Sequence, residues 1–300
     1  MKAIVTGGAG FIGKAILDEL TQVQGVEIRA VINKTPLADR HQKLEKWSGG
    51  ISTISAERLK QFQPEFIFHL ARPTIPKWRM LGRVIAGFRG AYLNKSLIRR
   101  LEKHAPNCKL IYISGSLMYG ESKHGEPHFE NSPVRPISYA RQYLESESPI
   151  LKAIAKKNNK HIMIRVPWVL GDGSWFQWIY VNHFRQEGTI PLFGNGQNIM
   201  QFITLESLAK TTVQIATDGD TQGIRNLFGE GQYTQLEFAQ FMATKLKCEL
   251  DNNTAYYEQA IQEAFKANIV LGSSFEVLSE SEDTFKTRLH ELTQRFLKDK

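Results

Sequence analysis

A glycine-rich turn between a short apolar segment and an amphipathic one constrains the fold of this 300-residue chain most strongly. Residues 2–6 predict a β-strand, and the run Gly7-Gly8-Ala9-Gly10-Phe11-Ile12-Gly13 follows directly. Gly7 allows a tight turn, Gly10 lets a pyrophosphate approach the backbone, and Gly13 lets the next helix pack closely. The start of that helix offers N–H groups and a positive dipole end to phosphates. We therefore predict a dinucleotide site formed by Gly7, Gly10, Phe11, Ile12 and Gly13, the alternative being a glycine turn without a ligand.

Strand-like and helix-like segments alternate through the first half of the chain. The predicted strands are 2–6, 27–32, 65–70, 109–114 and 161–166. The predicted helices between them are 11–22, 56–63, 86–104 and 137–158. This alternation is typical of an α/β fold, a Rossmann-type doubly wound parallel sheet with helices on both faces.

The second half of the chain is irregular and aromatic, and it predicts a smaller C-terminal lobe that binds the substrate. Helical patterns occur at 176–187, 234–246, 256–265 and 281–297. We assign the dinucleotide-binding domain to 1–166, with 200–228 added. The substrate lobe is assigned to 167–199 and 229–300.

The end of the second strand indicates which dinucleotide is bound. An acidic residue there accepts hydrogen bonds from the 2′-hydroxyl of NAD. Here the strand ends in Asn33 and Lys34, without a carboxylate, and Lys34 can pair with a 2′-phosphate. We therefore expect NADP to be preferred over NAD, unless Lys34 is only a solvated loop charge.

Composition limits the cellular compartment and the kinds of partner that we expect for this protein. The net charge is +8, but the basic residues are scattered, so we expect no nucleic-acid partner. No apolar run reaches the length of a membrane span, and the N-terminal one is too short for a secretory signal. Two cysteines suggest a reducing compartment, and no metal-ligand spacing occurs. We expect a cytoplasmic protein with a small-molecule substrate and no metal, and the charged helix at 281–297 leaves a homodimer open.

Several blocks of the sequence resemble the extended short-chain dehydrogenases/reductases, the NAD(P)-dependent epimerase/dehydratase group. The resemblance runs in chain order and weakens toward the C-terminus. The similar blocks are residues 6–13, 66–71, 111–120, 136–139, 165–171 and 192–197.

The resemblance implies roles for individual residues. Tyr139 would give or take a proton at the reacting carbinol or carbonyl, and Ser116, or else Ser114, would hold that oxygen. Leu70, Ala71 and Pro167 would line the cofactor. A lysine four residues after the tyrosine would bind the nicotinamide ribose and lower the tyrosine pKa from about 10. That spacing would put both side chains on one helix face.

The sequence departs from the family pattern at the lysine. Position 143 is tyrosine, while Glu147 keeps the register, so the replacement is not a misalignment. Tyr143 can hydrogen-bond a ribose hydroxyl but carries no positive charge. On the helix at 86–104, Gly87 stands where the family has a buried asparagine.

The substrate side is assigned to six residues, with an aromatic core as the alternative for the tryptophans. These residues are Arg72, Met118, Trp168, Trp175, Trp178 and Met200. Met200 stands where sugar-nucleotide enzymes of the family carry an arginine on the diphosphate. A thioether cannot replace that contact, which favours a smaller, less charged substrate.

Together these features predict an NAD(P)-dependent oxidoreductase or epimerase/dehydratase acting on a hydroxyl or carbonyl carbon. The alternative is a catalytically degenerate dinucleotide-binding or regulatory protein. The missing lysine supports the alternative, and the presence of Tyr139 and Ser116 opposes it.

Overall fold

The computed structural model describes residues 1–73, 79–157, 159–275 and 281–298. The strands of this part of the chain are β1 (Lys2–Thr6), β2 (Glu27–Ile32), β3 (Glu45–Ser48), β4 (Phe66–His69), β5 (Lys109–Gly115), β6 (Ile162–Val166), β7 (Trp168–Leu170), β8 (Ile190–Pro191), β9 (Ile199–Thr204), β10 (Gly223–Asn226), β11 (Gln232–Thr234) and β12 (Leu250–Asp251). Its α-helices are α1 (Phe11–Thr21), α2 (Ala56–Phe62), α3 (Arg79–His104), α4 (Leu144–Ile154), α5 (Asn182–Glu187), α6 (Leu205–Thr217), α7 (Gln235–Leu246), α8 (Gln259–Lys266) and α9 (Glu282–Lys298).

The main sheet has seven strands in the order β3-β2-β1-β4-β5-β6-β10. Four of its pairs, β1–β2, β2–β3, β1–β4 and β4–β5, run parallel. The order reverses between β1 and β4, because β1 pairs with β2 on one side and with β4 on the other. The predicted α/β fold with a doubly wound sheet is confirmed, and such a sheet binds ligands where the order reverses.

Two small sheets complete the fold. β9 pairs in parallel with β7 and antiparallel with β11, and β12 pairs in parallel with β8. These strands were not predicted. Four of them have two or three residues, too few to show a period-2 pattern, and the six-residue β9 is buried along almost its whole length and so shows no alternation. β3 was missed for a related reason, since Trp47 is the one buried side chain among its four residues.

The chain divides into two compact units. The first unit consists of Met1–Ser114, Gln142–Ile164 and Ala209–Arg225. The second unit consists of Gly115–Arg141, Arg165–Leu208 and Asn226–Lys300. The domain boundaries assigned from the sequence stay a prediction.

The first unit is built on β-strands whose side chains are buried on both faces. In β1 and β5 nearly every residue is buried, the pattern of a parallel sheet covered by helices on both sides. Leu97 and Leu101 of α3 and Ile150 of α4 join a core with Ile4 and Leu110 of the strands. Burying such side chains contributes about 1.5–3 kcal/mol each.

The core of the second unit is aromatic. Phe202 stacks on Phe238 and on Phe285, with ring centroids 5.1 and 4.9 Å apart. Tyr180 is fully buried, and its hydroxyl accepts a hydrogen bond from Gln235 at 3.0 Å. A buried phenol needs such a partner, since an unpaired hydroxyl inside the core is strongly unfavourable.

The helix predicted at 137–158 begins later than expected. Ile137 accepts hydrogen bonds from the N–H groups of Ala140 and Arg141, which closes a tight turn. A 3₁₀ helix follows at Arg141–Tyr143, and α4 begins at Leu144. Tyr139 therefore lies in a turn, and the expected single helix face for positions 139 and 143 is wrong.

A buried polar chain links the sheet to α3 and α4. The Thr6 hydroxyl accepts hydrogen bonds from the N–H groups of Leu70 and Ala71, both at 3.1 Å. It also contacts Nδ1 of His69 at 2.8 Å, so the hydroxyl proton is donated to that ring nitrogen. Nε2 of His69 then donates to the side-chain oxygen of Asn94 at 2.8 Å. The Asn94 amide in turn donates to Ser146 O at 2.8 Å.

This buried chain of hydrogen bonds keeps the imidazole of His69 neutral. Burial lowers the pKa of His69 from 6.5 to about 4, while Asn94 raises it and the charge of Arg72 lowers it further. In the unfolded chain the imidazole takes up a proton near its ordinary pKa. The folded state must therefore lose stability as the pH falls from 6.5 toward 4.

We predict that His69→Gln flattens the pH dependence of stability. The wild-type protein should lose on the order of 3 kcal/mol of unfolding free energy through this window, and the variant should lose less. Urea denaturation at a series of pH values measures both slopes. His290→Gln, at an exposed histidine of α9, is the matched control. Equal slopes for the wild-type protein and His69→Gln would contradict the assignment.

Candidate functional site

The glycine turn after β1 has a backbone geometry that only glycine fits. Gly7 has φ +71°, and the N–H of Gly10 donates to Gly7 O at 2.8 Å. A Cβ atom at position 7 would lie 3.0 Å from the backbone nitrogen of Ala71. The turn is therefore packed against the segment that leaves β4.

Gly13 brings α1 into contact with the same turn. A Cβ atom at this position would lie 2.1 Å from Gly7 O, which no side chain can occupy. Residues 7, 10 and 13 thus have the spatial relation that their spacing in the sequence predicts. Their part in binding a ligand stays a prediction.

The first turn of α1 is suited to an anion. Gly10 is the N-cap residue, it is exposed, and it forms no side-chain cap. No acidic residue lies in the first turn, where Phe11 and Ile12 are half-buried. The backbone N–H groups at a helix start need partners, and a pyrophosphate supplies them. This part of the structure fits a dinucleotide.

The ends of β2 and β4 are close to this turn in the sheet order. Asn33 and Lys34 follow β2 and are exposed. Leu70 and Ala71 follow β4, are half-buried, and are held by the Thr6 hydroxyl. The three carboxyl ends lie on one edge of the sheet, because β1, β2 and β4 run parallel.

Arg72 forms an ordered cluster beside β5. Its Nη2 donates to Ile113 O at 3.0 Å, and its guanidinium carbon lies 4.4 Å from the ring centroid of Tyr143. Burial by itself lowers the pKa of Arg72, but Tyr112, Tyr143 and Glu147 raise it above its ordinary value. Arg72 is nevertheless an exposed residue.

Ser114 has a buried partner. Its hydroxyl donates to Oε1 of Glu147, and both side chains are buried. Glu147, which only marked the register in the sequence, is therefore a buried polar group of the first unit. Ser114 holds this carboxylate, which leaves Ser116 as the stronger candidate for holding a substrate oxygen.

Helix α3 carries a buried asparagine that the sequence analysis did not identify. A Cβ atom at Gly87 would lie 2.7 Å from Gln142 O, so glycine is needed there for close packing. The buried amide is Asn94, seven residues further on. Asn94 shares the apolar stripe of Leu97 and Leu101, and a polar residue on such a stripe is a signal that could have found it.

The second unit carries the remaining predicted catalytic residues. Ser116 and Met118 are buried in the segment that follows β5, and Tyr139 is half-buried in its turn. Pro167 is buried between β6 and β7. These positions agree with the sequence blocks that suggested them, and their roles stay predictions.

Another cation–ring contact lies in this unit, and here the cation is buried. The fully buried guanidinium of Arg165 lies 4.5 Å from the ring centroid of Tyr119. The Tyr119 hydroxyl donates to Asn226 at 2.9 Å, and the Asn226 amide donates to His128 O and Gly272 O. These contacts tie four separate segments of the chain together.

The predicted substrate residues of the second unit differ in burial. Trp168 and Trp175 pack against the aromatic core, with Trp168 4.6 Å from the ring of Phe265. Trp178 is 69% exposed. Met200 is fully buried in the core of β9, so its side chain has no surface for a substrate. The substrate contact expected for Met200 is therefore wrong, because the residue packs into the core, while the kind of substrate stays a prediction.

Within the described ranges, no three His, Cys, Asp or Glu side chains come together as metal ligands would. Among the helices of the same ranges, none has the length and hydrophobicity needed to cross a bilayer.

The sequence and the fold match known proteins over most of the chain. It is 26% identical to dTDP-4-dehydro-6-deoxyglucose reductase of Escherichia coli over 204 residues, which cover 64% of this chain and 61% of the reductase. It is 22% identical to dTDP-glucose 4,6-dehydratase of Salmonella typhimurium, over 86% of this chain and 80% of the dehydratase.

Among solved structures, DesIV, a dTDP-glucose 4,6-dehydratase from Streptomyces venezuelae with NAD bound, superposes with a TM-score of 0.78. The identity is 18%, and the match covers 100% of this chain and 97% of DesIV, so it bears on the fold. The model of the NAD dependent epimerase/dehydratase family matches residues 3–227. The chain therefore belongs to the NAD dependent epimerase/dehydratase family.

Proposed function

We propose that this protein is an NAD(P)-dependent oxidoreductase or epimerase/dehydratase acting on a hydroxyl or carbonyl carbon of a small molecule. The observation that carries the proposal is the packing of Gly13 against Gly7 O, with an uncapped start of α1. This arrangement leaves backbone N–H groups for two phosphates. The bound dinucleotide supplies hydride transfer to or from the substrate carbon.

The protein groups proposed for the chemistry are Tyr139 and Ser116. Tyr139 holds or releases the proton of the substrate oxygen, and the Ser116 hydroxyl positions that oxygen. A phenol needs a lowered pKa to act as a base near neutral pH. In this family a lysine has that effect, and here position 143 is tyrosine, so another cation must contribute.

The substrate proposed for a first test is a sugar linked to a nucleoside diphosphate. Relatives in the family are named for dTDP-linked sugars, and one of them is a reductase. The argument from position 200 for a smaller substrate has lost its support, because Met200 is buried. Small carbonyl compounds form the second panel.

A regulatory protein that binds the dinucleotide without turnover is the second candidate. The tyrosine at position 143 favours it, since the charge of the family's lysine is absent from that place. Binding without chemistry on any substrate of the two panels would support this candidate.

Replacement of Gly10 should separate binding from folding. Gly10 has φ −80° and ψ 174°, which any residue adopts, and an added Cβ atom would lie 3.1 Å from Gly7 O, so Gly10→Leu should fold with a small shift of the turn. Its side chain would occupy the approach of the phosphates and weaken NADH binding by at least about tenfold. NADH fluorescence titration measures the affinity, and Gly219→Leu, at an exposed turn with open space around it, is the control. Unchanged NADH affinity in Gly10→Leu would refute phosphate binding at the start of α1.

Tyr139→Phe should lower turnover by about 100-fold or more and leave NADH affinity unchanged, because the phenol proton is needed only in the reaction. Nicotinamide absorbance and product chromatography over both substrate panels measure turnover. Tyr92→Phe, at a tyrosine that is 73% exposed, is the matched control. Full activity of Tyr139→Phe would exclude this residue as the acid or base.

Lys34→Asp should change the choice of dinucleotide. NADP affinity should fall about fivefold, since an exposed cation paired with a 2′-phosphate contributes about 1 kcal/mol. NAD affinity should not fall, because a carboxylate at this place can accept a hydrogen bond from the 2′-hydroxyl of NAD. Lys43→Asp gives the same charge change at another exposed lysine. A wild-type protein that prefers NAD, as the NAD complex of DesIV would suggest, would show that Lys34 is a loop charge.

A further inference from the structure

The cluster around Arg72 holds an exposed guanidinium in a fixed position. The exposed Arg72 is fixed by the hydrogen bond to Ile113 O and by the ring of Tyr143 beneath its guanidinium. Glu147, fully buried and bonded to Ser114, balances its charge. A guanidinium held on several sides loses little freedom when it binds a ligand, which favours recognition.

The position of the cluster in the sheet indicates which part of a ligand it faces. Arg72 directly follows Leu70 and Ala71, which lie against the glycine turn at Gly7. Its anchor, Ile113, belongs to β5. The cluster is thus at the carboxyl ends of β4 and β5, on the same edge of the sheet as the start of α1.

A dinucleotide has a defined direction across such an edge. Its adenosine ribose lies at the end of β2, and its pyrophosphate lies at the helix that follows β1. The strand order β2-β1-β4-β5 means that the other nucleotide half extends toward β4 and β5. This half is the nicotinamide riboside, whose ribose has two neighbouring hydroxyl groups.

We propose that Arg72, stacked on Tyr143, binds the nicotinamide ribose and is the cation of this part of the site. The inference rests on the proposed function, since it requires a dinucleotide at the glycine turn. It assigns to Arg72 a cofactor contact in place of the substrate contact expected from the sequence. Tyr143 serves as the surface on which the guanidinium is held.

The inference predicts a selective loss of affinity. Arg72→Met removes the charge and keeps a side chain of similar length. NADH should bind about tenfold more weakly, because a charge-assisted hydrogen bond is lost. ADP, which lacks the nicotinamide riboside, should bind as it does to the wild-type protein. Fluorescence titration with NADH and calorimetry with ADP measure the two affinities.

A second substitution tests the charge directly. In Arg72→Met/Tyr143→Lys the ammonium restores a cation within the cluster, and NADH affinity should recover most of the loss. Tyr143→Lys alone is the control, and it should gain little NADH affinity, because Arg72 already supplies the cation. An equal gain with and without Arg72 would show that the new lysine binds the ribose by itself, and it would refute the role of the Arg72 charge. Arg72→Lys, which keeps the charge, is the substitute if Arg72→Met does not fold, and it should retain more NADH affinity than Arg72→Gln.

The outcomes distinguish this inference from the proposed function. No NADH binding by the wild-type protein at millimolar concentration would refute the proposed function. Normal NADH binding by the wild-type protein and by Arg72→Met would refute only the role of Arg72. Equal losses for NADH and ADP would also refute it, since Arg72 would then act as part of the scaffold.

Discussion

The contact between α1 and the turn after β1 is the constraint on which the candidate site depends. Gly13 can approach Gly7 O because it has no side chain, and this contact brings the start of α1 to the carboxyl edge of the sheet. A longer side chain at position 13 would push the helix away, and the N–H groups would no longer meet phosphates placed over the turn. The fold therefore links ligand binding to one backbone contact.

The rest of the first unit supports that turn through polar contacts inside an apolar core. The Thr6 hydroxyl accepts hydrogen bonds from the N–H groups of residues 70 and 71. His69 and Asn94 continue the chain of hydrogen bonds into α3 and α4. Because the side chains of Thr6, His69 and Asn94 are buried, the loss of one would leave another unsatisfied. The segment after β4 continues to Arg72, which lies beside Tyr143. Residues 69–72 thus combine the structural support of the turn with the proposed binding of the nicotinamide ribose.

The sequence predicts local features well where a short-range pattern carries the information. The strand, glycine turn and helix at the N-terminus belong to this class, since turn geometry and helix capping act over a few residues. The late start of α4 was not predictable, because it depends on two N–H groups sharing Ile137 O. Asn94 and its partners were missed because hydrogen bonds between distant segments leave only a single polar residue on an apolar stripe.

Among the predicted site residues too, a short-range pattern identifies some, and only contacts between distant segments reveal the others. The pairing of Arg72 with Tyr143 joins positions 71 residues apart, and no spacing in the sequence relates them. Met200 and Trp175 were assigned to the substrate by their place in the chain, whereas the aromatic core of the second unit takes up both side chains. The replacement of lysine by Tyr143 looks like a lost function in the sequence. In the structure, the same residue supports an arginine that comes from the segment after β4.

The central claim is that a dinucleotide binds with its phosphates at the start of α1. Hydrogen–deuterium exchange of the full-length protein, followed by mass spectrometry with and without NADH, tests it most directly. NADH should slow exchange in the peptide covering residues 7–13, because the N–H groups of this peptide become bonded to phosphate oxygens. Bound NADH that leaves exchange in this peptide unchanged and slows it only elsewhere would contradict the account.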